Sequence, residues 1–197
     1  LLEQEFIKVV TVAKMKQKTR INLLHALSKI ETVHSNNLLE SILSKKELRV
    51  GTTGDYAPFS LKTGHQFEGI DIDLAKDLAE SLGVKLILVE TSWPTLSEDF
   101  KAKKFDIAMS GVSITLKRRQ HGFFSKAYHS GGKTPISRCQ DVSRFDSFEK
   151  VDQSTTQMIV NPGGTNFKFA DSKIENASIQ IFDNNQTIFQ EILFNQN

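Results

Sequence analysis

Only one cysteine, Cys139, occurs among 197 residues. An internal disulfide or a cysteine-based metal site is therefore excluded, and Cys139 reads as an inert, partly buried thiol. Five histidines are present without metal-ligand spacing, so no metal is expected. Charge of one sign is lacking too: 25 Lys and Arg against 23 Asp and Glu leave a net +2. The basic residues are scattered and carry no interleaved aromatics, which argues against a nucleic-acid partner. No apolar run approaches the roughly 20 residues of a membrane span. The pair Gly163-Gly164 comes without the lysine of a phosphate loop, so neither a nucleotide nor another cofactor is expected. What remains is a globular composition, 39% hydrophobic and 24% charged, long enough for one ordinary domain or two small lobes.

Three segments differ in character. Residues 1–35 read as an N-terminal extension or degenerate leader. Met15 to Arg20 is basic and Ile21 to Leu27 apolar, the order of a secretory leader, but the run is short, is interrupted by Asn22 and His25, and has no small-residue cleavage site. Residues 36–130 read as a first α/β lobe. Leu38, Leu39, Ile42 and Leu43 form a helical stripe, Leu48 to Thr53 a strand, and Gly54 to Pro58 a turn. Ile70, Leu74, Leu78 and Leu82 recur every four residues up to the stop at Gly83, with Asp71 and Asp73 at the positive end of the helix dipole. Strand 85–90, helix 96–103 and strand 105–109 follow. This alternation predicts a parallel sheet covered on both faces.

Residues 131–197 read as a partial second lobe. The pattern predicts strands at 134–139, 156–160 and 178–182 and helices at 145–151, 167–172 and 187–194, the last with Ile188, Ile192 and Leu193 on one side. A strand would normally follow such a helix, so the second lobe reads as incomplete.

The stretch Asp106 to Arg118, DIAMSGVSITLKR, carries the chemistry. An apolar strand runs into a turn with Ser110, Gly111, Ser113 and Thr115, then into a basic helix start. Hydroxyls, uncovered backbone N–H groups and the planar fork of Arg118 suit a small carboxylate. Ligands of parallel sheets sit beyond the carboxyl ends of the strands. Those ends carry Asp55 and Tyr56, Thr91 to Trp93, and Ser110 to Thr115, while Gly163, Gly164, Thr165 and Asn166 open a helix in the second lobe.

These residues also carry a resemblance. Residues 38–197, through "GTTGDYAPFS" and Gly69-Ile-Asp-Ile-Asp-Leu74, resemble the bacterial family-3 solute-binding proteins, with a two-lobed periplasmic-binding-protein-like fold. The runs "TSWPTL", "DIAMSGVSIT", "GKTPI" and "NPGGTN" are similar to those of the cyclohexadienyl (arogenate/prephenate) dehydratases within it. The resemblance implies a carboxylate held by Arg118, Ser113 and the backbone around Ser110 and Gly111. It also implies aromatic walls at Trp93 and Tyr56, and a second-lobe hydroxyl at Thr165 beside Asn166. It implies a periplasmic or secreted location and a small-molecule carboxylate ligand, with a membrane transporter as partner if the chain serves transport. Where the dehydratases are expected to carry an acidic Glu after "GGTN", this chain has Phe167, which can transfer no proton. Asp55, Lys133 and His129 are the remaining candidates for an acid.

Overall fold

A computed structural model describes residues 38–183 and 185–194, so the extension at 1–35 lies outside the described residues. The chain divides into two compact units, with the division between Gly132 and Lys133. In the first unit the described elements run α1 (Leu38–Lys45), β1 (Glu47–Thr52), β2 (Asp55–Tyr56), β3 (Ser60–Thr63), β4 (Gln66–Glu68), α2 (Ile70–Leu82), β5 (Lys85–Glu90), α3 (Leu96–Lys101), β6 (Ile107–Ala108) and α4 (Leu116–Arg119).

Strand β1 is the middle of a parallel sheet, paired with β5 from Glu47–Lys85 to Thr52–Glu90 and with β6 on its other edge. Alternation along β1 divides the core. Leu48 and Val50 pack with Ile42 of α1 and Leu74, Ala75, Leu78 and Ala79 of α2. The opposite face buries Leu96, Phe105 and Val112, and there Gly51 lies directly under the Phe105 ring. The four-residue spacing of α2 thus becomes its sheet-facing stripe. Gly83 ends the helix at φ 66°, where the N–H groups of Gly83 and Val84 close on the Glu80 and Ala79 carbonyls.

The antiparallel meander β2–β3–β4 is absent from the sequence-based expectation, which assigned only the turn at Gly54 to Pro58. Its signal is the two-residue connection Gly64-His65 between the paired Thr63 and Gln66, with Gly64 at φ 61°. Two carboxylates brace this unit. Asp106 takes the Arg49 fork, Nη2 at 2.6 Å and Nε at 3.3 Å, and also accepts the Arg49 backbone N–H. Asp99 accepts from Lys104 at 2.6 Å and from the Thr91 hydroxyl at 2.6 Å.

The second unit contains a 3-10 turn at Cys139–Arg144, α5 (Phe148–Val151), β7 (Gln157–Val160), α6 (Thr165–Lys173), β8 (Ser178–Ile181) and α7 (Asn185–Phe194). Strands β7 and β8 pair in parallel. The strand expected at 134–139 does not form: Pro135 offers no N–H, and no described strand pairs with this segment. Cys139 opens the 3-10 turn and is exposed, not partly buried. In α7, Ile188 and Ile192 are half-buried, whereas Leu193 is exposed. Asp152 fixes the link from α6 to β8 by accepting the backbone N–H groups of Glu175, Asn176 and Ala177. Both units are therefore α/β, with parallel strands and packed helices. Among the described residues no helix is long and apolar enough to cross a membrane, and no cluster of three metal-ligating side chains occurs.

A Cβ at Gly51 would stand 2.5 Å from the Phe105 ring. Gly51→Ala is expected to destabilise the protein by about 1–3 kcal/mol through overpacking, read as a lower urea midpoint with an unchanged slope. Lys104, then Thr91, draws the Asp99 pKa from 3.8 down to about 2. A depressed carboxylate pKa gives stability that is complete above the unfolded value and lost as pH falls through the folded one. Asp99→Asn should therefore lower stability at neutral pH and flatten the loss between those two pKa values, measured by urea melts across that range.

Candidate functional site

The candidate site of the first unit is assembled from three loops that leave the sheet at its carboxyl edge. After β1 come Asp55 and Tyr56, after β5 comes Trp93, and after β6 come Ser110 to Arg118. The Trp93 indole N–H donates to Asp55 Oδ1 at 2.9 Å. Its ring meets Tyr56 edge-on with centroids 5.8 Å apart. The Arg118 guanidinium lies 5.8 Å from the Trp93 ring centroid, within the range of a cation–π contact. Tyr56 in turn packs on Phe59 at 5.2 Å. Asp55, Tyr56, Trp93 and Arg118 thus form one connected group.

Arg118 is held in place from its own turn. Its backbone N–H donates to the Thr115 hydroxyl at 3.2 Å, the N-cap of α4, and its Nη1 donates to the Ser113 carbonyl at 3.0 Å. Thr115 is therefore a cap. Burial lowers the Arg118 pKa from its ordinary value, yet a guanidinium stays charged throughout the physiological range. No carboxylate among the described residues pairs with it. A desolvated cation with a fixed fork and an aromatic backing is complementary to a planar anion.

The remaining residues of the turn differ in what they offer. Ser110 is fully buried, and its hydroxyl is engaged with the Thr53 hydroxyl at 2.7 Å and the Thr53 N–H at 3.1 Å. The Gly111 N–H donates to Asp71 Oδ2 at 2.6 Å. Both are thus committed inside the unit. Gly111 sits at φ 65°, and a Cβ there would stand 2.8 Å from the Tyr56 and Phe59 rings, so only glycine permits this approach. No local pattern marks Thr53 or Asp71 as partners of this turn, because 57 and 40 residues separate them from Ser110 and Gly111.

In the second unit, α6 begins with Thr165 and Asn166 after Gly164. The Lys133 ammonium donates to the Thr165 hydroxyl at 2.8 Å and to Asn166 Oδ1. This gathers an ammonium, a hydroxyl and an amide at the positive end of a helix. His129 belongs to the first unit and meets the Phe59 ring edge at a centroid distance of 6.3 Å. Of the three acid candidates, Asp55 is an acceptor for Trp93 and Lys133 a donor to Thr165.

Residues 48–187 match the bacterial extracellular solute-binding proteins, family 3. The chain belongs to this family. It is 51% identical over 156 residues to a cyclohexadienyl dehydratase of Pseudomonas aeruginosa, a match covering 79% of this chain and 58% of that protein. The chain therefore spans less than two thirds of that relative's length. The crystal structure of an ancestral amino acid-binding protein, a precursor of cyclohexadienyl dehydratase, superposes with a TM-score of 0.75 at 38% identity, covering 79% of this chain and 69% of that one. An amino acid ABC transporter substrate-binding protein of Streptococcus pneumoniae bound to L-arginine superposes with a TM-score of 0.66 at 27% identity, covering 78% and 65%. The neighbours are two-lobed periplasmic-type binding proteins. In this family member, Phe167 is the third residue of α6 and half-buried, two positions beyond the Thr165 hydroxyl.

Proposed function

We propose that the chain binds a small carboxylate of the amino-acid or prephenate/arogenate class, and that it descends from the cyclohexadienyl dehydratase lineage with its proton-transfer step weak or lost. Arg118 carries the reading: a positioned, partly desolvated guanidinium, backed by Trp93 and without a carboxylate partner among the described residues. Its roles follow from chemistry. The guanidinium fork takes the carboxylate, the Ser113 region supplies further hydrogen bonds, and Tyr56 and Trp93 cover the apolar part of the ligand. In the second unit Lys133, Thr165 and Asn166 form a set suited to another carboxylate or a carbonyl.

Dehydration of such a substrate requires an acid to protonate the departing hydroxyl, worth about 10²–10⁴-fold in rate. Phenylalanine at 167 supplies none. Asp55 accepts the Trp93 indole N–H, which orients its carboxyl group within the aromatic cluster. The second reading is the substrate-binding component of an amino-acid transporter, favoured by the likeness to amino acid-binding proteins and by the same Phe167. A location outside the cytoplasmic membrane, periplasmic or secreted, is supported by the extracellular character of the family.

Calorimetry with prephenate, arogenate and L-arginine tests binding. Arg118→Ala is expected to reduce affinity for the ligand that binds by about 10- to 100-fold, as loss of a charge-assisted pair at roughly 1.5–3 kcal/mol predicts. An unchanged affinity would refute the carboxylate role. Turnover of prephenate and arogenate, followed as aromatic product, tests the acid. The chain is expected to be slow and Phe167→Glu faster, whereas efficient wild-type turnover that Phe167→Glu leaves unchanged sinks the account of the missing donor.

A further inference from the structure

Asp71 lies far along the chain from the residues of the carboxylate site, yet it joins three of the segments around them. Its carboxylate is fully buried and accepts two hydrogen bonds, from the Gly111 N–H to Oδ2 at 2.6 Å and from the Tyr128 hydroxyl to Oδ1 at 2.8 Å. Its own backbone N–H donates to the Phe59 carbonyl at 2.9 Å, and the Ile70 N–H donates to the Pro58 carbonyl at 2.9 Å. The start of α2 is therefore fastened to the turn between β2 and β3, which carries Phe59 and follows Tyr56. Tyr128 as a residue remains 36% exposed while its hydroxyl reaches inward to the carboxylate.

We propose that Asp71 is a positioning residue for ligand binding: with Tyr128 it sets the height of the Gly111 turn against Tyr56, and so the geometry of the aromatic and guanidinium group at the site. The proposal rests on the carboxylate-binding reading of Arg118. A dipole interaction at a helix start needs only a nearby negative charge in water. Asp71 is instead buried and bonded through both oxygens, with Gly111 held at φ 65° where two rings crowd its α-carbon. Burial leaves the Asp71 pKa above the ordinary carboxylate value, opposed by the bonds from Gly111 and Tyr128, so the geometry of these two donors is what fixes the group at this place. Displacement of Gly111 would release Tyr56, and Tyr56 packs against Trp93 and Phe59. Ser113 and Arg118 follow two and seven residues after Gly111 on the same turn. Preorganisation of this kind reduces the cost of ordering a site when ligand binds.

Trp93 is the single tryptophan of the chain, so intrinsic fluorescence reads this group with or without ligand. The test compares wild type, Asp71→Asn, Asp71→Ala and Tyr128→Phe in emission, prephenate affinity by calorimetry, and melting temperature. Asn can still accept the Gly111 N–H and donate to the Tyr128 oxygen, so Asp71→Asn is expected to retain emission and affinity. Asp71→Ala and Tyr128→Phe should shift the emission and weaken prephenate binding by roughly 10-fold at temperatures where both are folded. Tyr128→Phe keeps the proposal testable if Asp71→Ala does not fold. A lower melting temperature in Tyr128→Phe with wild-type emission and affinity would make Asp71 purely structural and overturn the proposal. Emission shifts in a protein that binds no carboxylate would refute the binding reading and, with it, a role for Asp71 in binding, while leaving its hold on the turn intact.

Discussion

Strand β1 is the constraint on which the first unit depends. The middle strand of a parallel sheet has both faces covered, and β1 meets this with Leu48 and Val50 on one side and Gly51 beneath Phe105 on the other. Its pairing with β5 and β6 brings the carboxyl ends of three strands to one edge. Residues from three separate parts of the chain, Tyr56, Trp93 and the turn from Ser110 to Arg118, leave the sheet there. The core and the site are consequences of one register.

The division of labour among charged groups is informative. Four aspartates act as internal acceptors: Asp71 for Gly111 and Tyr128, Asp99 for Thr91 and Lys104, Asp106 for Arg49, and Asp152 for three consecutive backbone N–H groups. Each ties a loop or strand end to its neighbours by accepting N–H or O–H donors. At the candidate sites the charged groups are Arg118 and Asp55, joined through Trp93, in one unit and Lys133 in the other. Arg118 and Lys133, set beside rings and hydroxyls, are the groups on which the proposed carboxylate binding rests.

This arrangement also separates holding from transforming. Binding a carboxylate needs donors in fixed positions, which Arg118 and its turn supply. Protonating a leaving hydroxyl needs a group that carries a proton at working pH and can give it up. A carboxylic acid in a dry environment would serve, but Phe167 has no proton to give. The proposed loss of dehydration thus turns on one side chain of α6, half-buried in the first helical turn.

Periodicity and motif spacing made α2, the three parallel strands of the first unit and the helix-opening glycine pair legible in the sequence, because these depend on neighbours a few residues apart. The meander β2–β4 was partly legible through Gly64 and was missed because its strands are short and only one turn marks them. The segment 134–139 shows the reverse error, where alternation suggested a strand that finds no pairing partner among the described residues. Ser110 and Gly111 stood out as donors in a turn, yet only the fold showed that Thr53 and Asp71 engage them from 57 and 40 residues away. The sequence by itself determined which chemical groups are present and on what local element each lies. The tertiary structure decided which of them are brought together and which are used as internal partners, because that depends on long-range hydrogen bonds and burial, and neither is encoded in local spacing.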